Sequence, residues 1–159
     1  MMKQNSILPI VSLDTSSNAM GNIMANVDYK DRQLEIILKE NPDLAQWLIK
    51  FSEKLTDIDN VLYSTLIVYD LLNKSGTLPR VDRATLQSFG VEAGISVNKT
   101  YEESLAKHLN EVNPNIASFL ANFAPSAKKP NEVVYATLYL YRILEIQALK
   151  EKVLFNTTQ

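Results

Sequence analysis

The sequence predicts an all-α protein made from two tandem copies of a three-helix unit of about 72 residues, packed about a pseudo-twofold axis. Two observations predict this fold. The chain aligns with itself at a fixed shift, and each aligned half contains a helix-start signal followed by a strongly apolar helix. The chain has 159 residues, of which 46% are apolar, so it has enough apolar material to bury a core.

The repeat appears when residues 41–72 are placed over residues 113–144 without a gap. Eleven of the 32 positions are then identical, whereas average composition gives about two by chance. The identical pairs are Asn41/Asn113, Pro42/Pro114, Ala45/Ala117, Leu48/Leu120, Phe51/Phe123, Val61/Val133, Tyr63/Tyr135, Thr65/Thr137, Leu66/Leu138, Tyr69/Tyr141 and Leu72/Leu144. Upstream, Leu8-Pro9-x-Val11 resembles Leu78-Pro79-x-Val81 at a shift of 70, which extends the duplication to about residues 7–148.

Each unit contains an Asn-Pro pair, Asn41-Pro42 and Asn113-Pro114, that predicts a helix start. Proline suits the first helical turn, and a preceding asparagine side chain can accept a hydrogen bond from a free backbone N–H. We expect helices at about 28–39, 42–54, 58–73, 101–111, 114–123 and 130–151, and a short one at 82–89. The layout is then an N-terminal arm or loop (1–27), repeat 1 (28–76), a linker (77–100) and repeat 2 (101–159), with both repeats in one compact domain.

The third helix of each unit is apolar on nearly every side, which is typical of a buried helix. We therefore expect these two helices to lie at the centre, where the two units pack together. The side chains expected to be buried are Trp47, Phe51, Leu66, Phe119, Phe123 and Leu138. Residues 14–22, rich in Ser, Asn and Asp, are expected to form a loop.

The composition gives little support to an enzyme or to a metal or cofactor site. There is no cysteine, His108 is the only histidine, and no glycine-rich phosphate loop or nucleophile motif is present. We therefore predict no catalytic, cofactor-binding or metal-binding residue, and interpret His108 as structural. A small enzyme without a recognisable motif stays an alternative.

A second alternative is a DNA-binding regulator with a helix-turn-helix motif. The segment Ala93-Gly94-Ile95-Ser96 resembles the turn of that motif, and the recognition helix would follow at about 97–109. That helix balances Lys99 and Lys107 with two glutamates, and the net charge of the chain is −2. Since phosphate binding requires a basic surplus, nucleic acid is an unfavoured partner.

The remaining profile is that of a non-enzymatic structural or interaction protein that binds itself or another protein, such as a scaffold, an adaptor or a component of a virion or secretion particle. The partner-binding residues that we expect are the apolar ones of the arm: Ile7, Leu8, Ile10, Val11 and Leu13. We expect the arm to lie on another chain. No apolar run reaches the length of a membrane span, and residues 7–13 are too short and too interrupted by Pro9 for a good signal peptide. The expected location is the cytoplasm, or an assembly formed there.

Overall fold

The computed structural model describes residues 7–25, 27–88 and 99–157, and the described residues contain eight α-helices and no strand. The helices are α1 (Leu13–Ala25), α2 (Tyr29–Glu40), α3 (Pro42–Glu53), α4 (Ile58–Ser75), α5 (Arg83–Ser88), α6 (Lys99–Val112), α7 (Pro114–Phe123) and α8 (Pro130–Thr157). A short 3₁₀ turn, Ala124–Ser126, follows α7. The predicted all-α class is confirmed.

Most helix limits agree with the sequence within a few residues, and two differ. The loop expected at 14–22 is wrong, because α1 occupies this stretch. The Ser12 side chain starts the helix: its hydroxyl accepts a hydrogen bond from the backbone N–H of Thr15 at 3.1 Å. At the other end of the chain, α8 continues to Thr157, beyond the expected end at residue 151.

The Asn-Pro pairs start α3 and α7 as predicted, with proline in the first turn. The expected capping by the asparagine side chains is wrong, since neither side chain bonds to its own helix. Both asparagines instead have similar backbone angles, φ −144° and ψ 65° at Asn41 and φ −147° and ψ 68° at Asn113. Their side chains turn away from the helix and bind an extended segment, which is described below.

Helices α4 and α8 pack against each other at the centre of the fold. Their contact contains a buried hydrogen bond between the hydroxyls of Ser64 and Thr137, 2.7 Å apart. The Thr137 hydroxyl also donates to the carbonyl of Val133, one turn earlier on α8. Because both hydroxyls have partners, the helices approach closely without leaving a buried polar group unpaired.

A second link joins the starts of the two central helices. The Glu132 carboxylate of α8 accepts hydrogen bonds from the backbone N–H groups of Thr56 and Asp57, at 2.9 Å and 2.8 Å. In return, the Asp57 carboxylate accepts the backbone N–H of Lys129 at 3.0 Å. Each carboxylate therefore lies at the other helix's N-terminal end, where the helix dipole favours negative charge.

The core surrounds these two helices. Five of the six residues expected to be buried are buried: Trp47, Phe51, Leu66, Phe119 and Leu138. The expectation for Phe123 is wrong, because this ring is only half-buried and packs on the outside of Phe119, with ring centroids 5.5 Å apart. Phe123 lies at the last position of α7, where the chain turns into the 3₁₀ turn and less of the fold covers it.

Candidate interaction site

The N-terminal segment docks on the start of α7 through the side chain of Asn113. We call residues 7–12 the first Leu-Pro segment. The amide nitrogen of Asn113 donates to the carbonyl of Pro9 at 2.9 Å, and its amide oxygen accepts the backbone N–H of Val11 at 2.9 Å. One buried amide group therefore binds the backbone of an extended segment at two points two residues apart. We call this arrangement the Asn113 clamp.

The same arrangement occurs at the start of α3. The Asn41 amide nitrogen donates to the carbonyl of Pro79 at 2.9 Å, and its oxygen accepts the backbone N–H of Val81 at 2.8 Å. We call this the Asn41 clamp, and residues 77–82 the second Leu-Pro segment. The amide nitrogen of each asparagine also donates to a tyrosine hydroxyl: Asn41 to Tyr69 at 3.5 Å, and Asn113 to Tyr141 at 3.0 Å. The two tyrosines are buried, and burial raises the pKa of Tyr69 above its ordinary value.

The five residues expected to bind a partner divide into inner and outer groups. Leu8 and Val11 are buried in the chain's own core, and Ile7 is half-buried against it. Within the single chain the first Leu-Pro segment thus folds back on its own helices, and partner binding by Leu8 and Val11 stays a prediction. They face inward because the Asn113 clamp fixes the segment from both sides of Ile10. Ile10 and Leu13 are 60% and 67% exposed, and their role in partner binding stays a prediction.

Leu13 borders a groove between α1 and α7 with a volume of about 600 Å³. The groove carries no charged side chain and combines the edges of two phenylalanine rings with serine and asparagine groups. Its lining residues are Leu13, Ser16, Ser17, Asn115, Ser118, Phe119, Asn122, Phe123 and Ser126. We call it the α1–α7 groove; its lining begins at Leu13, three residues after the exposed Ile10.

A second groove, of about 390 Å³, lies between α3 and α5 and is lined by corresponding residues. All seven of its lining residues pair with residues of the α1–α7 groove, at the shift of 72 for α3 and of 70 for α5. They are Asp43, Gln46, Trp47, Lys50, Arg83, Leu86 and Gln87. This α3–α5 groove is charged, and Asp43 pairs with Arg83 at 3.5 Å. Sequence reasoning missed both grooves, although the two shifts already indicated that α1 and α5 occupy related positions.

The two grooves also differ at their aromatic floor. Trp47 of the α3–α5 groove is buried, and its indole nitrogen has no hydrogen-bond partner. The corresponding residue of the α1–α7 groove is Phe119, which has no polar atom to satisfy. The aromatic residue of the α1–α7 floor therefore carries no polar side-chain atom, unlike that of the α3–α5 floor.

Several titratable groups of the fold form structural pairs. His108 is partly exposed, and its Nε2 lies 2.6 Å from the buried Glu145 carboxylate, to which Arg142 also donates. The phenol of Tyr29 donates to the buried Asp70 at 2.6 Å, and burial followed by this hydrogen bond raises the pKa of Tyr29. Among residues 7–25, 27–88 and 99–157 no group of three or more His, Asp or Glu side chains has a metal-binding arrangement.

The helix-turn-helix alternative falls largely outside the described residues. Its turn, Ala93-Gly94-Ile95-Ser96, belongs to the undescribed stretch 89–98, and only the following helix α6 is described. Among the helices that the structure describes, none is long and apolar enough to cross a membrane.

Comparison with known proteins gives one partial similarity. The chain is 35% identical over 85 residues to a G2/mitotic-specific cyclin-B from Hydra viridissima. The similar stretch is 53% of this chain but only 20% of that relative, so the chain corresponds to about a fifth of the cyclin's length. No family model matches the sequence. No solved structure matches it either.

Proposed function

We propose that this chain is a non-enzymatic structural or interaction protein that binds itself or another protein through the α1–α7 groove and the exposed residues beside it. The carrying observation is that the exposed Leu13 and the half-buried Phe123 line one groove without a charged side chain, and that the exposed Ile10 lies three residues before Leu13. Apolar residues exposed together are typical of an interaction surface. Such a module suits a scaffold, an adaptor or a component of a larger particle assembled in the cytoplasm.

The internal duplication, with a pseudo-twofold axis between α4 and α8, is part of this proposal. It is supported by features that occur twice at shifts of 70 and 72: the two clamps, the two grooves and the threonine hydroxyls of α4 and α8 that bond one turn back. An experimental structure in which residues 41–72 and 113–144 failed to superpose by a rotation near 180° would contradict the duplication.

The energetics favour the α1–α7 groove over the α3–α5 groove as the partner site. Complete burial of one large aliphatic side chain contributes about 1.5–3 kcal/mol, so Ile10 and Leu13, which are 60% and 67% exposed, would together contribute about 2–4 kcal/mol before the costs of association. A partner at the α3–α5 groove would instead have to desolvate Asp43, Lys50 and Arg83, which costs free energy unless each charge is paired.

The test is the double variant Ile10→Asp/Leu13→Asp. Both residues are exposed, and aspartate is favourable at the start of α1, so the fold is expected to survive. Light scattering should show loss of any self-association, and a protein captured from the native extract by the wild type should no longer be captured. Val27→Asp is the matched control, since Val27 is 96% exposed and does not line the groove. If the double variant and the control bind equally, the proposal fails.

A further inference from the structure

The two clamps hold the same kind of segment through very different chain connections. The Asn41 clamp binds Pro79 and Val81, 38 and 40 residues later in the chain. The Asn113 clamp binds Pro9 and Val11, 104 and 102 residues earlier. The two clamps make equivalent hydrogen bonds, although the chain that connects each clamp to its segment differs in direction and length. We infer that the local contacts, and not the connecting chain, determine which segment binds to a clamp.

The contacts that define the pairing are compact. Within each segment the carbonyl of proline and the N–H of valine bond to the asparagine amide, while the valine side chain is buried. Leu8 is buried one position before Pro9, and Ile10, between the two bonded residues, points outward. Successive side chains of a regular strand face opposite sides, so full extension would place Leu8 beside Ile10 and opposite Val11. The chain bends at residues 7 and 8, and Leu8 and Val11 are both buried while Ile10 is exposed.

The segments are also arranged crosswise. The first segment belongs to the first half by its position in the repeat, yet it fills the clamp of the second half, and the second segment fills the clamp of the first. The halves therefore already exchange identical elements within one chain. The same exchange between two chains creates no new kind of contact, which is the condition for low-cost domain swapping.

We propose that the Asn113 clamp is an exchangeable peptide site whose occupant, in an assembly, is the first Leu-Pro segment of a second copy of this chain. This inference rests on the self-binding form of the proposed function and adds to it the segment and the receptor. A segment tethered in the same chain competes at an effective concentration on the order of millimolar. Exchange is therefore expected where copies are concentrated or where the segment of one copy is weakened.

The first experiment mixes two full-length variants. One copy carries Leu8→Ala/Val11→Ala, which weakens its segment and leaves its Asn113 clamp intact. The other carries Asn113→Asp, which removes the donor to Pro9 and leaves its segment intact. The mixture should form a one-to-one complex by light scattering, while each variant alone should not. Folded variants that stay separate in the mixture would overturn the proposal.

The second experiment measures binding of a labelled peptide of residues 7–13 to the full chain. It tests the exchange proposal even if one of the two variants of the first experiment fails to fold. Fluorescence anisotropy should show binding to the wild type, and Leu8→Ala/Val11→Ala should bind at least about tenfold more tightly because its own segment competes less. The control peptide carries an N-methyl group on the valine nitrogen, which replaces the N–H that donates to the Asn113 amide oxygen. Absence of peptide binding, or equal binding of the control peptide, would overturn the proposal.

The two proposals fail separately. Loss of association in Ile10→Asp/Leu13→Asp with no complex in the mixture would leave the α1–α7 groove standing and remove the exchange. If the complex in the mixture still forms when Ile10→Asp and Leu13→Asp are added, the exchange proposal stands and the α1–α7 groove proposal fails.

Discussion

Replacing Phe51 or Phe123 by alanine compares two residues at the same repeat position in different surroundings. Phe51 is fully buried, stacks on Trp47 with ring centroids 5.0 Å apart and meets the edge of Tyr139 at 6.1 Å. Phe123 is half-buried and lies against the ring of Phe119. Truncation of a buried phenylalanine costs about 3–5 kcal/mol, because the apolar burial is lost and a cavity remains. The cost at Phe123 should be smaller, since part of this residue already contacts water.

These costs convert into clearly different unfolding midpoints. For a domain of this size, 1 kcal/mol corresponds to about 2–4 °C, so Phe51→Ala should lower the melting temperature by about 6–20 °C. Phe123→Ala should lower the melting temperature by less than Phe51→Ala does, as measured by thermal unfolding followed by circular dichroism. An equal shift for the two variants, or a larger one for Phe123→Ala, would refute the assigned burial of α3 and α7.

Two further predictions concern the first Leu-Pro segment and the start of α4. A Cβ atom at Gly76 would lie 2.9 Å from Cγ of Pro9, so Gly76→Ala should destabilise the fold by about 1–3 kcal/mol in denaturant unfolding. The control Gly21→Ala meets no atom within 4 Å and should stabilise α1 by about 0.5–1 kcal/mol; similar effects for the two would show that the segment does not pack at Gly76. Burial raises the pKa of the Asp57 carboxyl, but hydrogen bonds from Asn60 and from backbone N–H groups lower it more, so the net shift is downward. The stability that the ionised Asp57 contributes is present above about pH 4 and is lost as the pH falls through the lowered pKa. Asp57→Asn should therefore reduce the loss of unfolding free energy at acid pH. An unchanged acid dependence would contradict the role assigned to Asp57.

The helices of this fold were predictable because their signals are local. Proline after asparagine starts α3 and α7, and the all-round apolar pattern identifies α4 and α8 as central. The loop expected over α1 failed because Ser, Asn and Asp favour turns as well as helix starts, and the deciding contact, from the Thr15 N–H to Ser12, depends on geometry. Residue type alone does not distinguish these outcomes.

The candidate site was harder to predict because its contacts are not local. The sequence identified the apolar arm residues, but their division into buried Leu8 and Val11 and exposed Ile10 and Leu13 depends on a clamp about one hundred residues away. Asn113 looked like a helix cap, and both roles use the same amide group. A side chain that can satisfy either its own helix or a distant backbone is assigned only when the distant segment is located.

The two halves of the chain have similar clamps and dissimilar surface grooves. The clamps use the same residue types and nearly the same distances, as expected if both are needed for the fold. The grooves occupy corresponding places but have changed character: Asp43, Lys50 and Arg83 in one correspond to Asn115, Asn122 and Leu13 in the other. A groove serving only as the seam between two helices would need no such difference in charge. This difference in charge supports the proposal of an apolar contact at the α1–α7 groove, whose lining begins at Leu13, directly after the first Leu-Pro segment.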